Sequence, residues 1–235
     1  ISKSIFGPET VDSYELGLKS QLFDRRLTLN LAAFLSDYQD LQETTTILIP
    51  NGSQVQIVGN VAQSRSKGIE LGSSLRVSDS FTLSADLAYL SARYKNYTGA
   101  PCTVLQSLSQ SPCTQDLSGK RRAFAPKFSG SVAAAYKAAL TDDLELRLDG
   151  SMYFTSRYFA QPIADPYLSQ EANAKFDARI GVGSADNRWE AAIIGKNLTN
   201  KRTGSYRQPV STAAGSFQAL EDPSRTVGFQ LSWRY

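Results

Sequence analysis

The chain has 235 residues, 41% hydrophobic and 20% charged, with a net charge of +3 and no histidine. No apolar run approaches the roughly 18 residues of a membrane-spanning helix, which excludes a helical membrane protein, and the charge is too small to argue for nucleic acid. The lack of histidine weakens His-dependent catalysis and imidazole metal sites together.

Residues 1–12 hold Gly7, Pro8 and Glu9 and read as a loop. Tyr14, Leu16, Leu18 and Leu22 then alternate with Ser13, Glu15, Gly17, Lys19 and Gln21, which predicts a strand with one apolar face. A tight turn at Phe23–Arg26 leads to a second strand carrying Leu27, Leu29, Leu31, Ala33 and Leu35 on one face. Residues 37–60 are expected to form a long excursion, stranded in part through Thr44–Ile49 and Val55–Val58.

The third strand sets Ile69, Leu71, Leu75 and Val77 against Glu70, Gly72, Ser74 and Arg76, and Ser78–Ser80 turns the chain. The fourth sets Phe81, Leu83, Ala85, Leu87 and Tyr89 against Thr82, Ser84 and Asp86. Residues 93–123 form a long polar loop holding both cysteines. The fifth strand has Phe128, Val132, Ala134 and Tyr136. The sixth has Leu144, Leu146, Leu148, Met152 and Phe154, and a loop over 156–173 follows. The seventh has Phe176, Ala178, Ile180 and Val182. The eighth has Trp189, Ala191 and Ile193, but Ala192 and Ile194 blur its phase. A loop over 198–224 leads to the last strand, where Val227, Phe229, Leu231, Trp233 and Tyr235 alternate with Gly228, Gln230, Ser232 and Arg234.

The fold class is therefore all-β, an antiparallel up-and-down transmembrane β-barrel with about nine strands present, in which short turns and long loops alternate. One phase carries aromatics at both strand ends. Phe23, Phe81, Tyr136, Trp189 and Trp233 lie near the short turns, and Tyr14, Tyr89, Phe128, Phe154 and Phe176 near the long loops. Two aromatic belts around an aliphatic band fit a strand wall in a bilayer. The other phase holds Glu15, Lys19, Glu70, Arg76, Asp86, Glu145, Arg147, Asp149, Lys175, Asp177 and Arg179, expected to form ion-pair ladders lining the lumen. The first and last strands both run inward, so the strand count is odd, whereas single-chain bacterial barrels have even counts. Residues 1–235 are expected to be the C-terminal portion of a larger barrel.

Several stretches resemble the TonB-dependent outer-membrane receptors. Pro8-Glu9 and Tyr14–Lys19 are similar to that family's PE…YExGxK stretch, and Phe34 with Tyr38–Gln42 to its next strand. Asn60, Ser66–Leu71 and Ala88-Tyr89 resemble its N…S.GxE strand and partner, and Ala125-Pro126 its AP pair. Asn197–Lys201 resembles NLTDK with Asn200 in place of Asp, and Pro223–Thr226 resembles PRT with Ser224 inserted. The resemblance implies a barrel of roughly 22 strands around a plug. The plug domain and N-terminal strands would lie outside these residues. It implies capture of a scarce substrate, most often an iron–siderophore complex, and its import with energy from the TonB complex. The implied partners are outer-membrane lipid and lipopolysaccharide, the TonB complex, the barrel-assembly machinery and a small-molecule substrate, with no cofactor. Phe229, Leu231, Trp233 and Tyr235 resemble the C-terminal signal read by the assembly machinery.

At an oxidising cell surface Cys102 and Cys113 are expected to form a disulfide that stiffens their loop. Tyr94, Tyr97, Arg121, Arg122, Arg157, Tyr158, Phe159, Tyr206 and Arg207 are candidate substrate-facing loop residues, because arginines and aromatics suit an anionic, aromatic ligand. The competing readings are a passive porin or adhesin barrel and a soluble all-β binding domain. An outer-membrane phospholipase or omptin-like protease would need the histidine this chain lacks, so no enzyme is expected.

Overall fold

The computed structural model describes residues 6–48, 54–210, 213 and 215–234, with the side chains of 46–48, 54 and 205 left aside. Among these residues nine long strands form one antiparallel sheet. They are β1 (Thr10–Leu22), β2 (Leu27–Leu48), β3 (Gln54–Arg76), β4 (Phe81–Asn96) and β5 (Phe128–Ala139), then β6 (Leu144–Thr155), β7 (Asn173–Ser184), β8 (Trp189–Lys196) and β9 (Thr226–Trp233). Each strand pairs with its neighbours in sequence, so the sheet is an up-and-down meander whose edges are β1 and β9.

The register keeps every alternation in phase. Leu18, Leu31, Leu71, Leu87 and Gly130 lie side by side across β1 to β5. Ile180 faces Leu148 on one side and Ile193 on the other, and Ile193 faces Phe229. One sheet face is therefore apolar across all nine strands. Leu16 is 80% exposed on it and Phe229 71%. A patch of that extent is far larger than water-facing surfaces carry, and it fits lipid. The aromatic belts are in register too: Phe81 meets Tyr136 with ring centroids 6.5 Å apart, Tyr89 meets Phe128 at 5.2 Å, and Trp189 sits opposite Trp233.

The register also resolves the ambiguous β8. Trp189, Ala191 and Ile193 stand on the apolar face, while Ala192 faces inward and is buried. Ala192 lies directly opposite Gly181, which leaves room for it. The tight turn after β1 is made by Phe23, Asp24 and Arg25, with φ of 53°, 51° and 65°.

Two expectations need correction. The excursion over 37–60 is mostly strand: β2 and β3 run 22 and 23 residues, well beyond the 9–11 that cross a bilayer. They project outward as a hairpin arm, with a bulge near Asp40, whose φ is 53°. Ile49 lies outside the described residues. The long loops are also more ordered than their composition suggests. The first contains a six-residue helix α1 (Val104–Ser109) and a short ribbon pairing Ala100-Pro101 with Thr114-Gln115. The third contains a ribbon pairing Gly204–Pro209 with Phe217–Glu221. The buried apolar cluster of Leu41, Ala62, Tyr94, Tyr97, Ala100 and Leu117 belongs to this outer layer. An open sheet wall buries little against itself, so packing concentrates where loops cross the strand extensions.

Candidate functional site: the outer rim and its loops

The motif residues of three segments meet at the β2 bulge. Asn60 accepts from the Gly7 N–H at 2.7 Å and donates to the carbonyls of Asp40 (2.6 Å) and Gly7 (3.0 Å). Glu9 accepts from the Gln42 backbone N–H. A bulge frees backbone groups from the ladder, and Asn60, with both donor and acceptor, satisfies them. The Asn197–Lys201 stretch serves the same purpose beside β9. Asn197 is buried, with φ of 48°. It accepts from the Lys201 N–H at 2.9 Å and donates to the carbonyls of Lys201 (3.0 Å) and Pro223 (3.2 Å). Asn200 accepts from the Arg225 N–H at 3.1 Å. That bond uses the acceptor oxygen, which an Asp carboxylate would supply equally.

The nine candidate substrate-facing residues divide into three groups. Tyr94, Tyr97 and Arg122 belong to a buried knot on the inward side. Tyr94 and Tyr97 are 3% and 0% exposed, with ring centroids 4.8 Å apart. The Tyr94 hydroxyl donates to Glu43 at 2.8 Å, and that of Tyr97 to the Thr44 carbonyl. Arg122 donates to Ser64 at 3.3 Å, pairs with Glu43 at 3.8 Å, and lies 5.7 Å from the Tyr38 ring. Burial, and then the charge of Glu43, pushes both phenols well above the usual tyrosine range. These three residues anchor the loop to the hairpin arm, and the two phenol rings are enclosed there.

Arg121, Arg157 and Phe159 line a second region, an open cavity of about 390 Å³ shared with Arg93, Lys120 and Tyr158. Sequence reading missed Arg93 and Lys120. Arg93 continues the alternation of β4 past Tyr89, which could have found it. Arg93 pairs with Arg121 across an isolated antiparallel bridge, so the two share the outward face.

Tyr158, Tyr206 and Arg207 form the third group, of which Tyr158 and Arg207 reach a cavity on the inward side. Tyr158 borders a cavity of about 230 Å³ with Tyr153, Gln170, Lys175, Thr203 and Asp222. Lys175 pairs with Asp222 at 3.1 Å. Arg207 donates to Gln170 at 3.2 Å, and its carbonyl accepts from Gln161 at 2.7 Å. Tyr206 is 48% exposed and donates to Gln208 at 2.6 Å. Burial raises the Tyr158 phenol, Asp222 adding to it and Arg207 opposing.

Cys102 and Cys113 are joined as a disulfide, with Cα atoms 5.9 Å apart. Phe229, Leu231 and Trp233 stand together on the apolar face of the edge strand β9; Tyr235 lies outside the described residues. On the inward face near the short turns, ion pairs run across strands. Lys137 meets Glu145 at 2.7 Å, and Arg147 meets Glu145 at 2.9 Å and Glu190 at 3.6 Å. Arg179 meets Glu190 at 2.6 Å and Asp149 at 3.6 Å. Glu190 was absent from the expected ladder residues.

The model of a family described as TonB dependent receptor-like, beta-barrel matches residues 3–230. Three solved structures show the likeness of fold. The ferric yersiniabactin uptake receptor FyuA from Yersinia pestis is 17% identical with a TM-score of 0.73, over 96% of this chain and 30% of its own. The siderophore receptor PiuA from Acinetobacter baumannii is 20% identical with a TM-score of 0.71, over 98% and 29%. The copper transporter OprC is 13% identical with a TM-score of 0.69, over 98% and 33%. The chain thus spans about a third or less of the length of each.

Proposed function

The chain belongs to the TonB-dependent receptor-like β-barrel family, and on that premise we propose that it is the C-terminal wall of an outer-membrane receptor importing a scarce substrate with TonB-coupled energy. Members of this family are outer-membrane β-barrels of Gram-negative bacteria. The observation that carries the reading is the division of faces: one apolar face between aromatic belts, and an opposite face holding the Lys137–Arg179 ion-pair ladder. A wall with lipid on one side and a polar plug on the other needs that division.

The substrate class we infer is an iron–siderophore complex, the cargo named for FyuA, with PiuA a siderophore receptor. Of the nine loop candidates, Tyr158 and Arg207 keep that role, because Tyr158 borders the cavity that Lys175 lines and Arg207 donates to Gln170 of the same cavity. The test is uptake of a panel of labelled ferric siderophores by a deletion strain carrying the intact gene, with and without TonB. One siderophore taken up only with both supports the reading, and Tyr158→Ala with Arg207→Ala should lower that uptake about tenfold or more, as truncating two anchoring contacts does. Uptake of none, or equal accumulation without TonB, would favour a passive porin.

A further inference from the structure

We propose that the open edge of the hairpin arm, residues 54–60 of β3, binds an extended, uncharged segment of another protein as an added β-strand. The inference rests on the outer-membrane reading above, which puts the arm outside the cell, and assigns a surface apart from the substrate cavity. Past the aromatic belt β2 and β3 come to pair only with each other: β1 reaches Gln39 of β2, and β4 reaches Gln63 of β3. Opposite residues of an antiparallel pair alternate between those that exchange ladder bonds and those whose N–H and C=O turn away. On β2 the Gln42 N–H donates to Glu9, and the Thr44 carbonyl accepts from Tyr97. Gln42 and Thr44 therefore turn away from β3, and so does Thr46 two residues on. The partners of Thr44 and Thr46 are Val58 and Gln56. By the same alternation these two present their N–H and C=O at the far edge of β3.

The two edges of the arm differ. On the β2 side Glu9 and Tyr97 take up the freed groups. On the β3 side, among the described residues, no bond reaches the backbone of Gln56 or Val58. Residues 44–64 hold no charged side chain, in a chain that is 20% charged. Val55 and Val58, on opposite faces of the arm, are 38% and 45% exposed. Exposed edges are ordinarily blunted by charge, lysine above all. Here the edge carries none and is built of residues that favour strands, so it offers its ladder groups to an incoming strand. A second copy in the same membrane is unsuited to it. Two identical edges bond about a two-fold axis when their strands run antiparallel, which would invert one barrel. Other strands of a larger barrel would join at the sheet edges β1 and β9, whereas the open edge of β3 faces the β4 side, within the wall. The occupant is therefore a separate polypeptide, extended and uncharged where it lies along residues 54–60.

The test uses the intact protein in detergent and an end-blocked, dye-labelled heptapeptide of alternating threonine and valine, with binding read by fluorescence anisotropy and amide exchange read residue by residue. The peptide should bind and slow exchange at Gln56 and Val58, while Ile57, already in the ladder to β2, stays unchanged. The same peptide N-methylated at every amide should not bind, because it has no N–H to donate. Val58→Pro removes one edge N–H and leaves the ladder to β2 in place; it should weaken binding about tenfold or more. Unchanged exchange at Ile57 in that variant reports that the arm still pairs. No binding at millimolar peptide, equal binding of the N-methylated peptide, or equal binding by Val58→Pro would overturn the proposal. So would slow exchange at Gln56 and Val58 without peptide: the edge is then held by a second copy if the slowing depends on protein concentration, and by the protein's own chain if it does not. Labelling of Val58→Cys by an impermeant maleimide only after cell lysis would instead defeat the outer-membrane reading of the arm, so the two failures are separable.

Discussion

The hydroxyl of Tyr97 donates a hydrogen bond to the backbone carbonyl of Thr44, 53 residues earlier in the chain. It ties the loop after β4 to the hairpin arm, and the bond is buried, since Tyr97 is fully enclosed. Tyr97→Phe should leave that carbonyl unpaired at a cost of about 1–3 kcal/mol. Tyr97→Ala should cost about 3–5 kcal/mol by adding a cavity. The loss should be local: faster amide exchange over residues 41–48 and 55–62, with β5–β8 unchanged. Unchanged exchange in the arm would show that Tyr97 does not anchor it.

The same knot makes a prediction about pH. Burial raises the Tyr94 and Tyr97 phenols, with Glu43 adding to both. A folded-state pKa above the unfolded value gives stability that is fully present below the ordinary phenol pKa of about 10 and is lost as pH rises above it. An alkaline absorbance titration of the intact protein should show both tyrosines ionising only as the loop layer opens. Tyr94→Phe and Tyr97→Phe should therefore leave the reversible amplitude unchanged. A drop in that amplitude in either variant would mean that its phenol titrates freely.

The disulfide has its own consequence. Helix α1 has six residues, too few to persist alone. Its capping box, with the Gln106 N–H donating to Thr103 at 3.3 Å and the Thr103 N–H to Gln106 at 2.8 Å, stabilises only its start. Cys102–Cys113, 11 residues apart in sequence, closes the segment and contributes roughly 3 kcal/mol in the chain-entropy model. Reduction should speed exchange and proteolysis over residues 100–117 and leave the sheet intact. Two thiols alkylated without reductant in the native protein would refute the bridge.

Gly68 lies where two groups converge. A Cβ there would come within 2.3 Å of the Tyr89 carbonyl oxygen and 2.8 Å of the Phe34 ring. The ring can move, but the Tyr89 backbone belongs to the β3–β4 ladder. Gly68→Ala should therefore cost about 1–3 kcal/mol through forced displacement, read as earlier denaturant unfolding of the intact protein. Phe34→Ala in the same background should relieve only part of it, because the carbonyl clash remains. Wild-type stability for Gly68→Ala would show that the strands separate there without cost.

The sequence by itself determined the strand count, the apolar phase and both aromatic belts. Strand alternation is local, and one register slip would turn every leucine of Leu18–Leu31–Leu71 to the wrong face. It also identified the motif residues Asn60 and Asn197, though not that each fills the hydrogen-bonding capacity of a bulge or a loop exit. What only the tertiary structure decided is which way the loop residues face. Arg121 and Arg122 are adjacent, yet one joins Arg93 outside and the other joins Glu43 inside. Tyr94 and Tyr97 look like free aromatics in a polar stretch and are among its most enclosed side chains. Past the end of a strand, composition no longer fixes direction; the contacts a loop makes with segments 40 or 50 residues away do, and no local pattern encodes them.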